Sequence, residues 1–246
     1  GRITKFSYDG EILAQTFMWR SCSGGISVGD TDNDGVFEVY VGDRDMYMGS
    51  GYGADANYGK GVRSLWADDL SPRWCHPDTL TSSQCPVLAD VTGDGILEVI
   101  VSDMEGGFLV LNSTTGGAIK KEIRMNVPGH YQVSVHDVDG DGRLEALTAD
   151  GAHSSRYWSN QEVAILDLVN WEVDARLVVG ECKFSPTLAD LTGPEGVPDG
   201  RMDIIVVNYT AVMIFIYDEA TDTYLKVEEE TGLPYGLTYA IVQDID

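Results

Sequence analysis

Positive charge is what this chain has least of. It carries 16 Lys and Arg against 40 Asp and Glu, a formal net charge of −24 over 246 residues. A nucleic-acid partner needs a basic face that releases counterions, so that class is excluded. Long apolar runs are missing as well. No stretch of about 18 apolar residues occurs, so the chain holds no transmembrane segment. No sustained 3.6-residue apolar repeat is present, which removes support for helices. Cysteine is sparse, and Cys22, Cys75, Cys85 and Cys182 form no C-x-x-C pair. Zinc-site and thioredoxin-type readings therefore have little to stand on. Cys75 and Cys85 flank a loop holding Pro77, and a disulfide there and a set of unbridged thiols are both open. A nucleophile elbow, a metalloprotease helix and a phosphate loop are also lacking.

What is there is a short acidic motif that returns in phase. The clearest copies are Asp30-Thr31-Asp32-Asn33-Asp34-Gly35-Val36-Phe37-Glu38 and Asp137-Val138-Asp139-Gly140-Asp141-Gly142-Arg143-Leu144-Glu145. Between them lies Asp90-Val91-Thr92-Gly93-Asp94-Gly95-Ile96-Leu97-Glu98, with a neutral Thr92 at the third position. A fourth copy is stretched: Asp190-Leu191-Thr192, an insertion, then Asp199-Gly200-Arg201-Met202-Asp203. A fifth opens at Asp244-Ile245-Asp246. Oxygen-bearing side chains at positions 1, 3 and 5 with glycine at 6 suit a tight loop around a hard cation such as Ca²⁺. A solvated Asp/Gly turn is the alternative for any one copy. Three clean copies, each with an acid at the same later offset, favour the metal. An EF-hand is a poor match, because its last acid stands at position 12 and leads into a helix.

The motif starts at positions 30, 90, 137, 190 and 244, so copies are 60, 47, 53 and 54 residues apart. That period suits one four-stranded propeller blade. Each copy lies between β-like runs, such as Val87-Leu88-Ala89 before and Leu97 to Val101 after. A second strand pair follows, such as Phe108 to Leu111 with Ala118 to Ile123. The unit is strand A, acidic loop, strand B, loop, strand C, turn, strand D. The expected fold is an all-β β-propeller of four-stranded blades, with four complete repeats and two partial ones. Residues 1–246 form one propeller domain or a segment of one. Its units are roughly 1–20 (partial), 21–80, 81–128, 129–180, 181–235 and 236–246 (partial).

Along essentially its whole length the chain resembles the FG-GAP/VCBS repeats, the calcium-binding blades of the integrin α-subunit propeller and of many secreted and surface proteins of prokaryotes. The Asp-x-Asp-x-Asp-Gly-x-x-acid loop carries the resemblance. Phe-Gly and Gly-Ala-Pro tripeptides are missing, which aligns the chain with the looser prokaryotic type. Glu38, Glu98 and Glu145 stand where the integrin pattern has Asp. The expected cofactor is Ca²⁺, one ion per loop. Its ligands would be the side chains at positions 1, 3, 5 and 9 and the backbone carbonyl at position 7 (Val36, Ile96, Arg143 and Arg201). The implied setting is extracellular or cell-surface, and the implied role is recognition or adhesion.

All acidic loops join strand A to strand B and so share one face. The opposite face carries long B–C loops. One holds Arg44, Tyr47, Tyr52 and Tyr58, the other His153, Arg156, Tyr157 and Trp158. Tyr, Trp and Arg favour binding surfaces, and loops on a rigid scaffold commonly carry function. A protein or carbohydrate ligand is expected there; packing of these rings onto the blades is the plainer alternative. Two other functions stay in view: the propeller of a carbohydrate-active enzyme such as a polysaccharide lyase, and a self-assembling subunit of a surface layer or filament. Asn112-Ser113-Thr114 and Asn208-Tyr209-Thr210 are glycosylation sequons, which matter only on an exported chain.

Overall fold

The computed structural model describes residues 2–18, 25–43, 61–76, 85–102, 107–124, 133–149, 162–180, 182, 185–191, 198–233 and 240. Every regular element among them is a strand. A two-stranded hairpin comes first, β1 (Arg2–Phe6) with β2 (Ile12–Phe17). The first four-stranded sheet is β3 (Ile26–Gly29), β4 (Glu38–Asp43), β5 (Gly61–Trp66) and β6 (Pro72–His76). The second is β7 (Val87–Ala89), β8 (Glu98–Ser102), β9 (Gly107–Leu111) and β10 (Ala118–Arg124). The third is β11 (Ser134–His136), β12 (Glu145–Ala149), β13 (Glu162–Asp167) and β14 (Glu172–Val178). The fourth is β15 (Thr187–Ala189), β16 (Asp203–Val207), β17 (Ala211–Asp218) and β18 (Thr223–Thr231). In each sheet the strands pair antiparallel in chain order.

Burial follows composition strand by strand. The second strands β8, β12 and β16 are buried at every residue. They are short runs such as Val99-Ile100-Val101, and β-branched side chains fit a pleat covered on both faces. The outermost strand β14 alternates instead, turning Glu172, Asp174 and Arg176 outward. On β18 the run Glu228-Glu229-Glu230 is exposed, and charge of this kind blocks edge-to-edge pairing.

Contacts divide the chain into two compact units, Gly1–Arg124 and Met125–Asp246. In the first, the faces of β4 and β5 split their residues by parity. Val39 and Leu65 pack with Leu70, Ile3 and Ala14 toward the hairpin. Tyr40 and Val62 pack with Val99, Val101, Leu109 and Leu111 toward the second sheet. In the second unit Leu147, Ala149, Val163, Ile165 and Leu177 meet Ile204, Val206, Met213 and Phe215. A hydroxyl near the start of the first strand reinforces the same contacts. Ser27 Oγ donates to Pro86 O, Ser134 Oγ to Pro186 O, and Thr187 Oγ1 to Ala240 O at 2.9 Å.

The turn after β9 shows how closely the first two sheets fit. Gly116 has φ +70°, and a Cβ there would lie 2.6 Å from the Trp74 ring. Trp74 Nε1 donates to Ser113 O in the same turn at 2.6 Å. Gly116→Ala therefore combines a left-handed backbone with an overpacked contact, and is expected to destabilise unit one by about 2–4 kcal/mol. Urea unfolding checks this; a loss under about 0.5 kcal/mol would contradict the packing described.

Candidate functional site

Among the described residues, the first four acidic loops are built on the same internal hydrogen bonds. The first Asp accepts from amides further along its own loop. Asp30 accepts from Asp34 N and Gly35 N at 3.1 and 3.0 Å. Asp90 accepts from Gly93, Asp94 and Gly95 N, and Asp137 from Gly140 and Gly142 N. The fifth residue accepts from the amide at position 7: Asp34 from Val36, Asp94 from Ile96, Asp141 from Arg143 and Asp199 from Arg201, at 2.7 to 3.1 Å. Glycine at position 6 is required by geometry. Gly35, Gly95, Gly142 and Gly200 have φ between +85° and +89°, where a side chain is strained. The stretched fourth copy closes in the same way. Asp190 accepts from Asp199 N and Gly200 N across the insertion, at 2.9 and 2.8 Å.

The position-9 acid turns inward. Glu38, Glu98, Glu145 and Asp203 are 0 to 3% exposed. Each accepts from the amide at position 2: Thr31, Val91, Val138 and Leu191. A buried carboxylate needs such donors, and the loop supplies them from within. Position 9 therefore acts as a clamp between the opening of the loop and the following strand. Sequence spacing had read it only as a metal ligand.

Carboxylates converge in two loops among the described residues. Oxygens of Asp30, Asp32 and Asp34 lie within 4.8 Å of one another, as do those of Asp137, Asp139 and Glu145. Asp90, Asp94 and Glu98 form no such group, and neither do Asp190, Asp199 and Asp203. Asp141 falls outside the third-loop group and pairs with Arg143, whose Nε also reaches Asp167 at 2.9 Å. Like charge and burial leave a mark on the third loop. Burial pushes the Glu145 carboxyl up to about 8, and the charges of Asp139, Asp137 and Asp141 add to this. Asp139 is also raised, by burial first and then by Asp141 and Asp137. Asp174 on β14 is exposed as a residue, yet partial desolvation of its carboxyl by the surrounding protein raises it to about 6, with Asp167 and Asp139 contributing. A hard divalent cation suits both groups, since three carboxylate oxygens offer charge and the right donor type. Thr192, Asp244 and Asp246 lie outside the described residues.

The first loop has a neighbour that motif reading does not find. Arg73 on β6 donates Nη2 to Asp32 Oδ2 at 2.9 Å, and its Nη1 lies 3.8 Å from Glu38 Oε1. The guanidinium sits 4.6 Å from the centroid of the Trp66 ring. Arg73 Nη1 also donates to Ser113 O at 3.2 Å, and Thr31 Oγ1 and Tyr40 Oη lie 2.7 Å apart. Neighbouring loops touch directly: Asn33 Nδ2 donates to Gly95 O at 2.8 Å, and Leu97 N to Thr31 O at 2.9 Å. Position 4 is Asn33 in the first loop but Gly93 and Gly140 in the next two, so the repeat carries no signal for this contact.

The B–C loop residues Arg44, Tyr47, Tyr52, Tyr58, His153, Arg156, Tyr157 and Trp158 lie outside the described residues, as does Cys22. No disulfide joins Cys75 to Cys85. Cys75 is exposed, and Cys85 Sγ lies 3.8 Å from Ser27 Oγ. Of the two sequon asparagines, Asn208 uses its amide in the fold, donating Nδ2 to Val179 O at 2.8 Å. Asn112 caps its own turn by accepting from Thr114 N and Thr115 N. No helix among the described residues is long and apolar enough to cross a membrane.

No model of a known protein family matches this sequence, and no curated protein matches it. Solved structures do match. BamB from Moraxella catarrhalis is 16% identical with a TM-score of 0.56, over 91% of this chain and 54% of that one. The PilY1 C-terminal domain from Pseudomonas aeruginosa is 16% identical with a TM-score of 0.56, over 90% of this chain and 56% of that one. The fold is β-propeller-like. At this identity the likeness speaks for the fold alone, and the chain spans about half the length of each of these structures.

Proposed function

We propose that this chain is part of a calcium-stabilised β-propeller of the FG-GAP/VCBS kind, working outside the cell or at its surface in recognition or adhesion. The four four-stranded sheets are its complete blades, and the β1–β2 hairpin is the outer half of another. The same hydroxyl bond recurs at each step: Ala240 receives from Thr187 what Pro86 and Pro186 receive from Ser27 and Ser134. The observation that carries the calcium reading is the convergence of Asp30, Asp32 and Asp34, and of Asp137, Asp139 and Glu145, within 4.8 Å. Asp90, Thr92, Asp94 and the fourth loop are proposed as weaker sites. The ion's role is structural: it joins strands A and B where like charges would splay them.

With extracellular calcium modules as the guide, the affinities expected of these loops are about 10⁻⁴–10⁻³ M. The ligand class proposed is a protein or a carbohydrate held at the face opposite the acidic loops.

Calorimetric calcium titration, with thermal unfolding in calcium and in chelator, tests this reading. A site at fifty-fold excess over its Kd contributes about 2 kcal/mol. Each kcal/mol moves the Tm of a chain this size by about 2–4 °C. Two filled loops are therefore expected to raise Tm by about 10 °C. Absence of binding heat and of any Tm shift at millimolar calcium would remove the metal and leave the loops as plain turns.

A further inference from the structure

The outermost strand of every four-stranded sheet carries one extra residue at the same register. In the first sheet Leu65 faces Pro72 and Ser64 faces Trp74, so Arg73 is the residue left over. Leu111 faces Ala118 and Val110 faces Lys120, leaving Ile119. Leu166 faces Val173 and Ile165 faces Ala175, leaving Asp174. Phe215 faces Lys226 and Ile214 faces Glu228, leaving Val227. A bulge of this kind re-aims the side chain it carries. The sheets thus share this bulge, although β10 has a second irregularity between Lys120 and Ile123, and they differ in the charge it carries: a cation, two apolar residues and an anion.

We propose that this bulge residue sets the cation affinity of its own sheet's acidic loop, with Arg73 acting as a built-in counter-cation for the first loop and Asp174 as an added anion for the third. The proposal rests on the calcium reading above. Arg73 is held rigidly enough for the task. Its side chain is 9% exposed, and Trp66, Ser113 O and Asp32 hold its guanidinium on three sides. It takes Asp32 by Oδ2 only. Asp32 Oδ1 and Glu38 Oε1 are buried and have no hydrogen-bond partner. Arg73 therefore fixes the rotamer of a converging carboxylate and leaves its other oxygen open, as a positioning residue would. It also places a positive charge beside the group, which opposes a second cation. The third loop has the reverse arrangement. Its cation, Arg143, pairs with Asp141 and Asp167, neither of which belongs to the converging group. Asp174 occupies the same bulge register from which Arg73 reaches position 3 of its loop, so it brings negative charge to the side of Asp139.

Two consequences separate this from a merely structural salt bridge. The first loop keeps its shape without an ion, because an internal cation already neutralises part of it. The third loop binds calcium more tightly and depends on it more.

The test is calcium titration of the full chain, reading the first loop with the third silenced by Asp139→Asn, and the third with the first silenced by Asp30→Asn. Arg73→Gln is expected to tighten the first loop at least tenfold and to make its unfolding calcium-dependent. Arg73→Lys, which keeps the charge, is expected to stay near the parent affinity. Asp174→Arg, at an exposed position, is expected to weaken the third loop several-fold without harming the fold. If Arg73→Gln folds only with calcium, the calcium midpoint of refolding replaces the titration, and a midpoint below the parent Kd supports the proposal. Unchanged or weaker binding in Arg73→Gln, or an unchanged third loop in Asp174→Arg, overturns it while the calcium reading stands. No binding in any variant or in the parent overturns both.

Discussion

Glu38→Ala is expected to lose about 3–5 kcal/mol of unfolding free energy. Glu38 is fully buried and accepts from both the amide and the hydroxyl of Thr31, at 3.2 and 2.7 Å. Arg73 lies 3.8 Å from its other oxygen. Truncation leaves a buried amide without an acceptor, strips one partner from the Thr31 hydroxyl, which keeps only Tyr40 Oη, removes charge beside a buried guanidinium, and opens a cavity. Each unsatisfied group alone contributes about 1–3 kcal/mol. Glu98→Ala provides the comparison. Glu98 serves the amides of Val91 and Thr92 and the Thr92 hydroxyl. Without a buried guanidinium to strand, its loss is expected at about 2–3 kcal/mol. Urea unfolding in chelator measures both without interference from an ion. Equal, small effects under about 1 kcal/mol would mean that position 9 is not a clamp.

The second large effect is a pH dependence that calcium inverts. The folded-state pKa of Glu145 is raised from 4.5 to about 8, chiefly by burial. The unfolded chain therefore releases this proton first, and the native state holds more protons through the interval. Stability from this group is greatest at or below about pH 4.5, falls as pH rises toward 8, and is level above that. Asp174 acts in the same direction between 3.8 and about 6. In chelator, the urea midpoint is expected to fall steadily from about pH 5 to about pH 8. Glu145→Gln should flatten most of that slope, which separates it from histidine titration. In saturating calcium the order reverses, because a divalent cation favours the ionised carboxyls of Asp137, Asp139 and Glu145. A slope that calcium and Glu145→Gln both leave unchanged would argue against the third loop as the titrating, ion-binding centre.

Much of this was legible in the sequence, for definable reasons. Strand B runs such as Val99-Ile100-Val101 are apolar because both faces are covered, and that pattern is local. The Asp-Gly spacing is local too, since Gly35, Gly95, Gly142 and Gly200 need a left-handed backbone wherever the loop occurs. Direction and distant pairing were not legible. Spacing says that Glu38 stands eight residues after Asp30; only the register of β3 with β4 turns its carboxylate inward. Arg73 reaches Asp32 across 41 positions of chain, through a bulge that no composition signal marks. Arg143 was read as a carbonyl donor at position 7. Its side chain diverts Asp141 from the converging group, which is why the third loop gathers Asp137, Asp139 and Glu145 instead. The candidate ligand-face residues lie outside the described segments, so that expectation rests on sequence as before.

The closure of the fourth loop has a practical reach. Asp190 holds Asp199 and Gly200 by the same pair of bonds with which Asp30 holds Asp34 and Gly35, although the chain between is five residues longer. The turn is thus a port: what lies between its third and fifth positions can lengthen while the strands on either side keep their pairing. A peptide epitope or a second binding loop spliced there would be displayed from the acidic-loop end of its sheet with the host sheet intact. A repeat with such a port can acquire new surface chemistry by insertion, without redesign of its core.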